Sequence, residues 1–71
     1  MRQDIKDTLS RLRYERDRFK EMSTGRRKEA AELRKKRQWL EVLKAMERCH
    51  EYAASARQFQ AEIDRLKKAY S

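Results

Sequence analysis

The chain has no proline, one glycine and one cysteine among its 71 residues. Each shortage excludes something. Without proline, and with Gly25 as the single glycine, almost nothing interrupts a helix once it has begun. The lone Cys49 forbids an internal disulfide, and beside the single His50 it leaves too few ligands for a zinc site. No apolar run approaches the ~18 residues of a membrane span, so no membrane partner is expected. The opening Met-Arg-Gln-Asp lacks the apolar centre of a secretory signal, and a free thiol suits a reducing compartment. An intracellular setting, cytoplasmic or nucleoid/nuclear, is the expectation. No hydroxyl nucleophile has a base nearby, no glycine-rich loop exists, and no carboxylate pair sits in a pocket-forming context. A non-enzymatic chain without cofactor, metal or small-molecule substrate follows as the expectation.

What the chain has in abundance is charge. Charged residues make up 45% and hydrophobic ones 38%, a balance typical of helices with broad solvated faces. The charge is uneven. Residues 1–37 hold 14 of the 20 Lys/Arg and 7 of the 12 Asp/Glu, so nearly all of the net +8 lies in the first half. Such asymmetry points to an anionic partner.

Two helices and one turn account for the pattern. Asp4 reads as an N-cap, with Asp7 in the first turn. Ile5, Leu9, Leu12, Phe19 and Met22 then mark one face of a first helix over about 5–23. Arg16 interrupts that face, its stem able to lie along the core while the guanidinium reaches out. Asp7 with Arg11, Arg13 with Asp17 and Glu15 with Arg18 are spaced for ion pairs on the opposite face. Ser23-Thr24-Gly25 is the single breaker, which places a turn at 24–25 and a second helix over 26–70. The fold class is therefore all-α, a helical hairpin forming one domain. A continuous bent rod is the rival, because Ser23, Arg26, Ala30, Leu33, Arg37 and Leu40 keep the phase of the first helix.

In the second helix the apolar stripe precesses when measured from Trp39, which suggests a register slip near 49–56. Beyond it, Tyr52, Ala56, Phe59, Ile63, Leu66 and Tyr70 form a C-terminal coiled-coil seam within 49–70. A first helix of ~28 Å is too short to cover that seam. Self-association is therefore expected, a dimer favoured, in a coiled-coil-like pair or small bundle. Its interface would hold Trp39, Val42, Leu43, Met46, Cys49, Phe59, Ile63 and Leu66. Trp39 reads as core packing, Cys49 as a small core residue, and His50 as a salt-bridge partner of Glu47 or Glu51.

The candidate binding surface is basic: Arg26, Arg27 and Lys28 with Arg34, Lys35, Lys36 and Arg37, extended by Arg11, Arg13 and Arg18 of the first helix. With a turn at 24–25, three cations crowd a helix N-terminus, where the dipole disfavours them by ~0.3–1 kcal/mol each. Phosphates would answer that arrangement, so nucleic-acid binding is the expected function. The alternative is a protein-interaction module (adaptor, inhibitor or assembly subunit) docking on an acidic partner protein. A basic block before a coil is superficially zipper-like. However, no asparagine lies within Arg26–Arg37, and no leucine recurs every seventh residue after Leu40.

Overall fold

A computed structural model describes residues 3–70. Two helices, α1 (Gln3–Lys35) and α2 (Trp39–Ala69), pack along each other. The Cα positions span 52 × 14 × 11 Å. The all-α hairpin is as expected; its turn is not. Gly25 lies inside α1, and the chain reverses at 36–38.

The reversal has a specific backbone chemistry. The Gln38 N–H donates to the Leu33 carbonyl (3.0 Å) and the Arg37 N–H to the Arg34 carbonyl (3.0 Å). Those two bonds, with Arg37 at φ 59°, make a Schellman ending in which arginine takes the left-handed position usually given to glycine. Ser23 and Thr24, read as turn and cap residues, are occupied otherwise. Thr24 Oγ1 donates to the Lys20 carbonyl one turn back (3.0 Å), and Ser23 Oγ donates across to the Cys49 carbonyl (3.1 Å). Asp4, read as an N-cap, lies within α1 and accepts from the Ile5 N–H (2.9 Å).

The reason for this choice of turn is burial. On α1 the inward positions are Ile5, Leu9, Leu12, Arg16, Phe19, Ser23, Arg26, Ala30 and Leu33, in alternating steps of four and three. On α2 they are Val42, Ala45, Cys49, Tyr52, Ala56, Phe59, Ile63 and Leu66, in steps of three and four. All of these are buried or half-buried. A turn at 36–38 makes helices of 33 and 31 residues, so each covers the whole seam of the other. A turn at 24–25 would leave half of the second seam bare. Burying an aliphatic side chain is worth ~1.5–3 kcal/mol, whereas a glycine within a helix costs only ~0.5–1.

Two further expectations change with the turn. The seam of α2 runs unbroken from Val42 to Leu66, so there is no slip near 49–56. The precession arises from counting Trp39 as inward; it is 58% exposed, and Leu40 (74%) and Leu43 (67%) also face out. Of the apolar residues from Trp39 to Met46, Val42 and Ala45 thus belong to the seam, whereas Trp39, Leu40 and Leu43 lie on the surface.

Along the seam, layers alternate in kind. Ile5 and Leu9 meet Ile63 at the open end, flanked by Leu12 and Leu66. Arg16 Nη1 then donates to Gln60 Oε1 (2.7 Å) and Nε to Asp17 (3.0 Å), its stem half-buried as its spacing implies. Phe19 stacks on Phe59 (5.7 Å, 17°) and tilts against Tyr52 (6.1 Å). Ser23 follows, its Oγ also 3.2 Å from the buried Cys49 Sγ. Ala30, Val42 and Ala45 close the turn end, with Leu33 and Met46 against them.

A basic and apolar flank as the candidate binding surface

The seam divides the outer surface into two flanks. Helical periodicity assigns the residues: a side chain one or four positions C-terminal to an α2 residue such as Val42 or Cys49 leans to one flank, and one just N-terminal leans to the other. Two surface grooves fix which sides coincide. Lys20, Thr24, Ala53, Arg57 and Gln60 line one groove. Arg26, Glu29, Glu41, Lys44 and Arg48 line a second, on the opposite side.

On the first flank α1 carries a cation at every seventh position: Lys6, Arg13, Lys20, Arg27 and Arg34, all exposed. Successive members lie ~10.5 Å apart along the axis. Among the described residues none of the five forms an ion pair. Facing them from α2 along the same flank are Trp39, Leu43, Met46, His50, Ala53 and Arg57. Towards the turn, from Lys20 to Arg34 on α1 and from Trp39 to Arg57 on α2, the flank contains no acidic residue.

The other flank is balanced. Arg26 bonds Glu29 (2.8 Å), Lys35 Glu32 (3.5 Å), Lys44 Glu41 (3.7 Å) and Arg65 Glu62 (3.2 Å), each pair three residues apart. Glu29 first, and then the Tyr52 hydroxyl, raise the pKa of Arg26 above its usual value. Of the pairs expected on α1, Asp7–Arg11, Arg13–Asp17 and Glu15–Arg18 are not made. Asp17 takes Arg16, and Asp7 accepts the Gln3 amide (2.9 Å).

The basic cluster is therefore split. Arg26, Arg27 and Lys28 stand in the middle of α1, not at a helix N-terminus, so the dipole argument for phosphates there falls away. Arg34 and Lys35 sit in the last turn of α1, where the dipole favours cations. Arg26 is half-buried and engaged, Lys28 lies on the back of the helix, and Arg27 and Arg34 join the sevenfold row. Lys36 and Arg37 are exposed in the reversal. Arg13 joins the row from the open end, while Arg11 and Arg18 lie on the other side.

The expected interface is redistributed as well. Val42, Cys49 and Ile63 are buried within the chain, and Phe59, Leu66 and Met46 are half-buried against α1. Only Trp39 and Leu43 of that set face solvent. Lys6 and Lys20, which no local run of charge singles out, belong to the row; counting by sevens from Arg13, Arg27 and Arg34 would have found them. His50 is exposed without an ion pair among the described residues. No described group of three His, Cys, Asp or Glu is placed to hold a metal, and no described helix is long and apolar enough to cross a membrane. Comparison with protein-family models, with curated proteins and with solved structures gives no match for this chain.

Proposed function

We propose that the hairpin is a non-enzymatic binding module whose first flank docks an acidic segment of a partner protein. One observation supports this reading: near the turn, Arg27 and Arg34, with no acidic residue on the flank between Lys20 and Arg57, lie along the same flank as the exposed Trp39 and Leu43. Large exposed apolar side chains rimmed by polar ones mark interaction surfaces, and the charge selects an anionic occupant. The free thiol, buried against Ser23, suits a reducing compartment, so we place the module inside the cell.

The second reading is nucleic acid bound through phosphates, favoured by the five unpaired cations from Lys6 to Arg34. It leaves Trp39 and Leu43 without a role. A straight row also fits duplex poorly, because its ~42 Å length exceeds one full winding of the phosphate backbone. Self-association on this flank, the dimer expected from the apolar load, is the least favoured occupant. The C-terminal seam is already used within the chain, and two copies would set one cation row against another.

The test is a side-by-side titration of a Glu- and Leu-rich peptide and a DNA duplex against the parent and Trp39→Ala. Docking on protein predicts peptide binding that weakens about tenfold on losing Trp39, the scale of an interface anchor. Duplex binding that falls by ~0.9 in log affinity per tenfold salt per phosphate contact, is indifferent to Trp39 and has no peptide counterpart would establish the second reading instead.

A further inference from the structure

Two spacings on the first flank coincide. The cations of α1 recur every seven residues, at Lys20, Arg27 and Arg34. The apolar positions of α2 beside them, Trp39, Leu43, Met46 and Ala53, follow one another by four, three and seven. Seven residues of helix are ~10.5 Å, the distance over which a second helix presents the same face again. An extended peptide presents one face every ~6.6 Å, and phosphates of one duplex strand wind off a straight line. A helix laid alongside repeats its own face at the ~10.5 Å of the cation row, and steps of three and four within that repeat match those from Trp39 to Met46.

From this we infer that the occupant is a single amphipathic helix laid along the first flank, which turns the two-helix hairpin into a three-helix bundle. The inference rests on the acidic-partner reading and narrows it. The partner's apolar stripe covers Trp39, Leu43 and Met46, and its carboxylates, repeating by seven along one edge, meet Lys20, Arg27 and Arg34. The matched stretch runs 14 residues along α1, ~21 Å, so the docking helix needs about four turns. Met46 is half-buried and packs against Ala30, Val42 and Ala45, so the apolar strip is continuous with the core. The groove beyond it continues the same line: Lys20 and Arg57 border it, and the small Ser23, Ala53 and Ala56 between them leave room for a close backbone.

Trp39, the single tryptophan, makes the test direct. The probe is a synthetic 21-residue peptide with leucines at alternating steps of three and four and glutamates beside them. Controls are the same composition in scrambled order, a lysine version, and vesicles of phosphatidylserine with phosphatidylcholine. The ordered acidic peptide is expected to shift Trp39 emission to the blue, gain helical circular dichroism at saturation and bind about tenfold more tightly than the scramble. Leu43→Ser and the triple variant Lys20→Gln, Arg27→Gln, Arg34→Gln, all at exposed positions, are each expected to lose about tenfold or more while melting like the parent. Equal binding of ordered and scrambled acidic peptides, without a blue shift, would overturn the helix while leaving an acidic partner in place. If no acidic peptide binds, both readings fall. A blue shift with anionic vesicles alone would give the surface to a lipid headgroup layer and overturn the proposal.

Discussion

On one flank Glu29, Glu32, Glu41 and Glu62 each hold a cation three residues away; on the other Lys6, Arg13, Lys20, Arg27 and Arg34 hold none. Both flanks belong to the same pair of helices and border the same seam, so helix formation does not account for the difference. Pairs at this spacing stabilise a helix by only ~0.2–0.5 kcal/mol each, yet α1 and α2 collect them on one side. The other side forgoes them and keeps like charges in a row. A surface shaped by stability alone would mix the signs. The contrast separates a flank whose charges are paired within the fold from one on which we propose that an anionic partner docks.

Substitutions that leave binding aside sharpen that contrast, because stability should fall off in a definite order from the seam outwards. Ile63 is 0% exposed against Ile5 and Leu9. Ile63→Ala is expected to cost ~2–5 kcal/mol, read as a fall in the urea midpoint. A loss below ~0.5 kcal/mol would mean that α1 does not cover the far half of α2.

The backbone comes next, and here the sign matters more than the size. A Cβ at position 25 would meet nothing within 4 Å. Gly25→Ala should therefore raise stability by ~0.5–1 kcal/mol, since alanine is the better residue inside a helix. If Gly25 formed a left-handed turn, the same change would destabilise. Arg37→Gly probes the actual reversal. Relief of a left-handed arginine, worth ~1–2 kcal/mol, outweighs the added chain entropy of glycine, so a gain of up to ~1 kcal/mol is expected in thermal melts.

The smallest effects compare the flanks themselves. Glu29→Gln removes the carboxylate that holds Arg26 and should cost ~0.2–0.5 kcal/mol at low salt, and less at high salt. Arg27→Gln on the cation row should cost nothing or stabilise slightly, with the whole effect inside ~0.5 kcal/mol. A loss from Arg27→Gln larger than that from Glu29→Gln would make the row structural and end the distinction between the two sides.

How much of this was legible beforehand depends on the residue. Arg16 could be read correctly from its own chain: a charged residue at an apolar position with a long stem has one economical placement, and the half-buried Arg16 on Gln60 matches it. Cys49 likewise belongs to the core. Trp39 and Leu43, expected at an interface between chains, are exposed within the single chain, as apolar side chains on folded proteins often are. What changes for Arg26, Arg27 and Lys28 is their place, in the middle of α1 and not at a helix N-terminus. Their supposed strain at a helix N-terminus depended entirely on where the turn lay.

The amino-acid order by itself determined that this chain is helical, that it has two inward rows spaced by threes and fours, and that its positive charge gathers in the first half. Those properties are local, set by propensity, period and composition. Where the chain reverses was decided by tertiary packing. Gly25 offers the cheaper local turn, but only a reversal at 36–38 lets both seams bury their full length, and many buried side chains outweigh one arginine in a left-handed conformation. That same choice brought Trp39 and Leu43 of one helix beside Arg27 and Arg34 of the other. The candidate surface exists only once the hairpin has closed.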